Sequence, residues 1–235
     1  MQNENVELLH PTLLNENSQE LAAAPVVLQT GRYPRRGFQF AKRILDIVLS
    51  GLALVLFFPV FVVISLTVIA QDGSPIIFRQ RRIGVHGKVF YIYKFRTMVK
   101  NAEEILRNRP ELMEEYKRTF KIENDPRILR AGKFLRASSL DELPQLLNVF
   151  AGNMSLVGPR PIVEAEIAQY GDDKDYYLAM KPGCAGLWQC SGRSLTTYEE
   201  RVALDKQYYL NAGLRYDLLI LIKTIVTVLQ RKGAH

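Results

Sequence analysis

Cysteine and histidine are scarce: Cys184 and Cys190 are the two cysteines, and His10, His86 and His235 lie far apart along 235 residues. So thin a supply excludes a disulfide-stapled scaffold and leaves no four-ligand set for a structural zinc. Glycine-rich phosphate loops are missing too. "GVHGK" lacks the spacing of a Walker loop, and no Gly-x-Gly-x-x-Gly fingerprint occurs. The opening residues are acidic and polar, unlike a cleavable secretion signal, and with so few cysteines they point to a reducing, cytoplasm-facing location. Acid is absent from Gly73 to Ala102, a stretch that holds Arg79, Arg81, Arg82, Lys88, Lys94, Arg96 and Lys100.

What is present narrows the partners. A formal charge of +7 favours something anionic: nucleic acid, acidic lipid or a phosphorylated small molecule. A hydrophobic fraction of 48% excludes general disorder. Residues 1–38 mix Asn, Glu, Gln and Pro without periodicity and read as a flexible tail. From Ile47 to Ala70 no residue is charged, a run longer than the roughly 20 apolar residues that cross a bilayer. A buried core helix is the bland alternative, but a chain this size has little core to surround it. Pro59 splits the run, and at about 1.5 Å per residue each half reaches roughly 18 Å, little more than half the hydrocarbon thickness. Arg32, Arg35, Arg36, Lys42 and Arg43 precede it; Arg79, Arg81, Arg82 and Lys88 follow. Lys and Arg collect on the cytoplasmic side, so a re-entrant helix broken at Pro59 satisfies both flanks; a kinked span is the alternative.

The expected organisation is a tail over 1–38, a re-entrant membrane helix over 39–72 and a catalytic domain over 73–235. Within the last, two β-rich runs around "GVHG" predict a hairpin. "NAEEILRNRPELMEEYKRTF" predicts a helix interrupted at Pro110, "NDPRILRAGKFLRASSLDELPQLLNVF" a turn, a short basic helix and a second helix, and "SLTTYEERVALDKQYYLNAG" another. "DLLILIKTIVTVLQRKG" is apolar over Leu218–Ile222 and then broken by Lys223, so it lies along a bilayer surface or packs on the domain.

Asp141 and Glu142 are the candidate reactive centre. The bland reading is a capping box in which Ser139 caps a helix, Glu142 reaches back and Asp141 favours the positive helix end. The functional reading rests on Arg127, Arg130, Lys133 and Arg136 upstream and Arg160 in "GPRP": such a field suits phosphate and keeps Asp141 ionised, as a nucleophile must be. Two carboxylates facing a diphosphate repel it, so a bridging divalent metal is needed, and magnesium suits. Basic residues interleaved with Tyr and Phe over 79–98 also resemble an RNA surface, but beside a membrane segment anionic lipid and a phosphorylated substrate explain the charge more simply. In "KPGCAGLWQCSGRS" the cysteines read as small, partly buried residues, and Arg193 as a phosphate contact.

"KRILDIVLSGLALVLFFPVF", "GSPIIFRQRRIG", "YKFRTM", "NDPRI", "LDELPQLLNVFAGNMSLVGPRP", "KPGCAGLWQCSGR" and "ALDKQYY" occur in the order seen in bacterial sugar transferases. From about residue 40 onward the chain resembles the monotopic polyprenyl-phosphate hexose-1-phosphate transferases, in particular short forms that initiate exopolysaccharide with galactose or glucose. The resemblance implies transfer of hexose-1-phosphate from a UDP-sugar to undecaprenyl phosphate, with release of UMP, at the cytoplasmic face of the bacterial inner membrane. It assigns Asp141 as the nucleophile forming a phosphosugar–enzyme intermediate, Glu142 as the Mg2+ partner, and Lys94, Arg96, Arg136, Arg160, Arg193 and Asp205 to active-site motifs. It also implies re-entry at Pro59. The fold expected is mainly α with a small β-hairpin, α+β in class, with interfacial helices on a cytosolic catalytic body. Membrane lipid is an expected partner, nucleic acid is not, and a second copy of the chain is left open. Cys184 and Cys190 depart from the β-branched residues expected there, a matter of packing. A non-catalytic membrane scaffold or an RNA- or lipid-binding protein is the rival reading.

Overall fold

The computed structural model describes residues 36–119, 122–191 and 196–229. Most of the stretch read as a tail lies outside them, and so does Arg193. Helix α1, Arg36–Leu56, is built inside out. Its buried side chains are Lys42, Asp46 and Ser50, spaced four apart and so on one face, while Leu45, Val48, Leu49, Leu52, Val55 and Leu56 are exposed. A helix lying on a water-soluble body shows the opposite pattern.

Each buried polar group has a partner. Lys42 Nζ donates to Asp217 Oδ2 at 2.5 Å and to the Tyr208 hydroxyl at 3.3 Å; that hydroxyl donates to Asp217 Oδ1 at 2.7 Å. Asp46 Oδ1 accepts from the Leu156 N–H at 2.9 Å and from Ser155 Oγ at 3.1 Å. Arg43 donates to the carbonyls of Val149 and Phe150, at the end of a later helix whose last carbonyls need donors.

Helix α2, Phe58–Asp72, follows after a 59° bend at Phe57. Pro59 sits in its first turn, where a missing N–H costs least, and it offers no donor to the Val55 carbonyl four residues back. Neither helix alone is long and apolar enough to cross a membrane; the bent pair together is, by length and composition. Ile64 and Val68 of α2 pack on Phe95, Leu129 and Leu135, and its other faces expose Phe58, Val62, Val63 and Leu66.

From Ser74 to Ala212 the chain takes most of its large apolar residues inward. Strands β1, Ile77–Ile83, and β2, Val89–Phe95, form the expected antiparallel hairpin, Ile77 opposite Phe95 and Ile83 opposite Val89. His86 and Gly87 turn it with positive φ. Helices α3, Ala102–Arg107, and α4, Pro110–Thr119, are separated ahead of Pro110, as expected. Then come α5, Arg130–Ser138, a 3-10 turn over Leu140–Glu142, and α6, Gln145–Ala151. A short parallel pair, β3 Ser155–Val157 with β4 Gly183–Ala185, was not legible in the sequence. Between them lie a 3-10 stretch, Glu164–Asp173, and α7, Lys174–Leu178; α8, Leu187–Ser191, α9, Tyr198–Asn211, and α10, Leu214–Leu229, follow. The mainly helical architecture with a small hairpin agrees with the expectation.

The core runs through Ile83, Ile162, Tyr170 and Tyr177 on one side and Val157, Met180, Tyr208, Tyr209 and Ile220 on the other. Helix α10 repeats the inversion of α1. It buries Asp217 and Ile220 and turns Leu218, Leu219, Ile222, Ile225 and Val226 outward.

Candidate active site

The loop that carries the carboxylates is set by Ser139. Its backbone is left-handed, φ 58°, ψ 17°, so it ends α5 and sends the chain into the Leu140–Glu142 turn. The capping box expected of Ser139 and Glu142 is therefore absent: a left-handed residue cannot adopt the extended cap geometry, its side chain caps nothing, and Glu142 turns elsewhere. The box that does form joins Thr197 and Glu200 at the start of α9.

Asp141 is buried, and no other side chain among the described residues hydrogen-bonds its carboxylate. Burial raises its pKa to about 6, the neighbouring Glu142 adds to the rise, and Lys94 and Arg136 oppose it. The arginine field was expected to hold Asp141 firmly ionised; desolvation outweighs it. Glu142 is different. Its side chain is 45% exposed, and Lys94 Nζ donates to its Oε1 at 2.7 Å. Partial desolvation pushes its pKa upward, but Lys94, Arg160 and Gln145 prevail and hold it below the ordinary value. The pair is thus split into one reluctant, unpaired carboxylate and one firmly charged one.

Other expected residues divide by place. Lys94 on β2 and Arg136 on α5 face the pair; the Arg136 Nε donates to Thr97 Oγ1 at 2.8 Å. Arg160 is exposed and lies close enough to depress Glu142. Its backbone is fixed on both sides. The Pro159 carbonyl accepts from the Gly183 N–H at 2.8 Å, the Pro161 carbonyl from Arg82 Nη1 at 2.9 Å, and Gly158 meets the Lys181 carbonyl where no Cβ fits. Arg96 does not join the pair: its guanidinium is spent on Asp72 and on the carbonyls of Asp72, Gly73 and Pro75, closing the exit of α2. Asp205 is buried inside α9, where Tyr170 donates to its Oδ2 at 2.8 Å, and burial raises it to about 6. Cys184 packs beside Ile92, Val149 and Met154; burial, then Glu142, raises its thiol, so it stays protonated.

Four residues went unassigned by sequence reasoning. Arg82 and Arg201 both approach Glu166, at 3.6 and 3.5 Å, and Arg201 lies 5.0 Å from the centroid of Trp188, as Arg160 does at 5.5 Å. In the sequence Arg201 drew no assignment; a signal was its place four residues before Asp205, one turn apart on one face.

No group of three or more His, Cys, Asp or Glu able to hold a metal occurs among the described residues. The Asp141–Glu142 pair instead offers hard carboxylate oxygens alone, one of them already paired with Lys94. That donor set fits magnesium, which takes one or two carboxylates and completes its shell with phosphate and water.

The chain is similar over most of its length to known proteins. The family model described as "Bacterial sugar transferase" matches residues 37–231. The undecaprenyl-phosphate galactose phosphotransferase of Salmonella typhimurium is 48% identical over 205 residues, which cover 86% of this chain and 43% of that protein. The exopolysaccharide production protein ExoY of Rhizobium meliloti is 45% identical over 199 residues, covering 83% and 88%. The UDP-glucose:undecaprenyl-phosphate glucose-1-phosphate transferase of Xanthomonas campestris is 35% identical over 235 residues, covering 95% and 46%. The chain thus spans less than half of the Salmonella and Xanthomonas relatives and most of the Rhizobium one.

Proposed function

The chain belongs to the bacterial sugar transferase family, and from that premise we propose that it moves a hexose-1-phosphate from a UDP-sugar to undecaprenyl phosphate, releasing UMP. Galactose or glucose is the sugar favoured by the names of its relatives, and exopolysaccharide or a related glycan the product to which this step leads. The observation that carries the reading is Asp141: a buried carboxylate without a side-chain hydrogen bond among the described residues, beside a charged Glu142 and the cations Lys94, Arg136 and Arg160.

With a pKa of about 6, Asp141 is mostly ionised at neutral pH, yet poorly solvated and so reactive. One of its oxygens attacks the sugar-bearing phosphorus. That O–P bond forms as the bond to the UMP oxygen breaks, and the electron pair leaves with UMP. The phosphosugar is then an acyl phosphate on Asp141. A phosphate oxygen of undecaprenyl phosphate attacks the same phosphorus and frees the aspartate. Lys94, Arg136 and Arg160 offset charge on the phosphate oxygens, and Lys94 also fixes Glu142. Glu142, with Asp141 nearby, would hold magnesium, which when bound neutralises diphosphate charge.

A membrane setting is part of the proposal. α6, directly after the carboxylates, packs along α1: Phe150 touches the place a Cβ on Gly51 would occupy, and Arg43 binds the α6 carbonyls. With α1 and α2 re-entering hydrocarbon from the cytoplasmic face of the inner membrane and α10 lying along it, Asp141 stands where a soluble donor meets a lipid acceptor.

The test uses the purified full chain in detergent, with UDP-galactose or UDP-glucose, with and without undecaprenyl phosphate. UMP release is expected from one donor, with labelled sugar retained on protein when lipid is withheld. Asp141→Asn should abolish both; undiminished transfer by that variant refutes the assignment. EDTA should stop turnover and magnesium restore it, and indifference to EDTA removes the metal.

A further inference from the structure

Arg160 makes no hydrogen bond or ion pair among the described residues, although from the exposed "GPRP" turn its charge acts on Glu142. What holds its long side chain is an aromatic face. The Trp188 ring lies 5.5 Å below the Arg160 guanidinium carbon, and a second guanidinium, that of Arg201, lies 5.0 Å from the same ring. Arg201 also lies 4.9 Å from the centroid of Tyr198, and Tyr198 meets Tyr170 edge-on at 5.9 Å. The contacts run Tyr198, Arg201, Trp188, Arg160.

Two cations against one indole ring repel unless one is neutralised. Arg201 is the one set against negative charge: it is 6% exposed, Glu166 Oε1, a carboxylate it shares with Arg82, lies 3.5 Å from its Nη1, and Asp205 contributes further negative charge from the next turn of α9. Glu166 is in turn fixed, its Oε2 accepting from the Val163 N–H at 2.8 Å. Trp188 is fixed as well, donating Nε1–H to Thr196 Oγ1 at 2.5 Å. The inner members are therefore buried or half-buried and tied to the protein's own groups, and the outer one is exposed and charged. A cation held over an indole face keeps its charge available to a ligand while losing much of its rotamer freedom.

We infer that Trp188 and Arg201 are positioning residues for the donor diphosphate: they form a platform that aims the Arg160 guanidinium at the phosphate oxygens beside Asp141 and Glu142. The inference rests on the proposed function for the identity of that ligand. Arg160 touches substrate; Trp188 and Arg201 act through it. Asp205, buried and hydrogen-bonded to Tyr170, serves the platform by balancing Arg201 rather than by meeting substrate.

The chain has a single tryptophan, so its fluorescence reports Trp188 alone. Titrating the detergent-solubilised full chain with UDP or inorganic pyrophosphate should change the emission as phosphate pairs with the Arg160 guanidinium held over the ring. In Arg160→Ala the change should vanish while thermal unfolding stays that of the wild type. Kinetics give the second readout. Trp188→Leu and Arg201→Met should raise KM for the UDP-sugar roughly tenfold with a smaller effect on kcat, and Trp188→Phe, which keeps an aromatic face, should stay close to wild type. Combined with Arg160→Ala, Trp188→Leu should add almost nothing further, since both remove one interaction. Full additivity, or an emission unmoved by both ligands, overturns the platform. An enzyme that releases no UMP yet shifts its emission with pyrophosphate retains the platform and loses the donor assignment instead.

Discussion

Helix α1 and the body between Ser74 and Ala212 solve opposite problems with the same residue types. The body buries Ile83, Ile92, Phe95, Val149, Met154 and Ile162; α1 buries Lys42, Asp46 and Ser50 and presents leucine and valine outward. Inside the body, apolar area removed from water supplies the adhesion, about 25 cal/mol per Å2. Along α1 the seam is polar; in the proposed membrane setting an apolar outer surface gains nothing by turning inward, whereas hydrogen bonds still discriminate one docking geometry from others. The first half of the helix is therefore bolted to the domain by polar contacts, Lys42 on Asp217 and Asp46 on the β3 strand.

The largest expected effect comes from unfastening one bolt. Lys42→Ala leaves Asp217 buried without its cation, and loss of about 3–5 kcal/mol is expected in denaturant unfolding of the detergent-solubilised chain. Lys42→Met with Asp217→Leu should recover most of that loss, since removing both charges also removes the desolvation cost. If the double variant is as unstable as the single, the seam is not an ion pair in effect.

A charge on the outer face sharpens the comparison next. Val55 is 77% exposed, so Val55→Lys disturbs no packing, yet with hydrocarbon outside it should reduce membrane association by about 2.5–3.5 kcal/mol, read by vesicle flotation. The control is Ala203→Lys on the exposed face of α9, expected to change neither flotation nor stability. Equal behaviour of the two variants would remove the membrane from the account.

Smaller effects belong to the body. Burial raises Asp205 to about 6, so the folded state binds a proton the unfolded state has released, and this contribution to stability grows as pH falls through 6 towards the unfolded value. Lowering the pH from about 7 to about 5 should therefore stabilise the wild type relative to Asp205→Asn by about 1 kcal/mol, the difference in thermal unfolding being the readout. The smallest is Thr197→Ala, which removes the hydroxyl accepting the Glu200 N–H at 3.2 Å and should cost about 1 kcal/mol of stability.

The sequence announced some of this arrangement and concealed the rest for physical reasons. The hairpin was readable because aromatic and β-branched runs flank a turn that tolerates positive φ. The bend was readable because Pro59 cannot donate to Val55. Asp141 and Glu142 stood out by adjacency and by the basic residues around them. Ser139 misled, since a cap and a left-handed helix end draw on the same small polar residues, and only the backbone tells them apart. Lys42 was read as a flanking membrane charge and Asp46 passed unremarked, although Lys42, Asp46 and Ser50 share a helical face; polar residues in a greasy run suggest its edges sooner than a buried seam. The Trp188 platform joins positions far apart along the chain, which no local pattern connects.

The central claim is chemical, and one measurement reaches it. After the chain is mixed with UDP-galactose or UDP-glucose and magnesium without lipid, then quenched and digested, the account predicts a hexose-phosphate mass increment on the peptide carrying Asp141, lost when undecaprenyl phosphate is added. An increment on any other residue, or steady UMP release with no modified peptide at all, would contradict it.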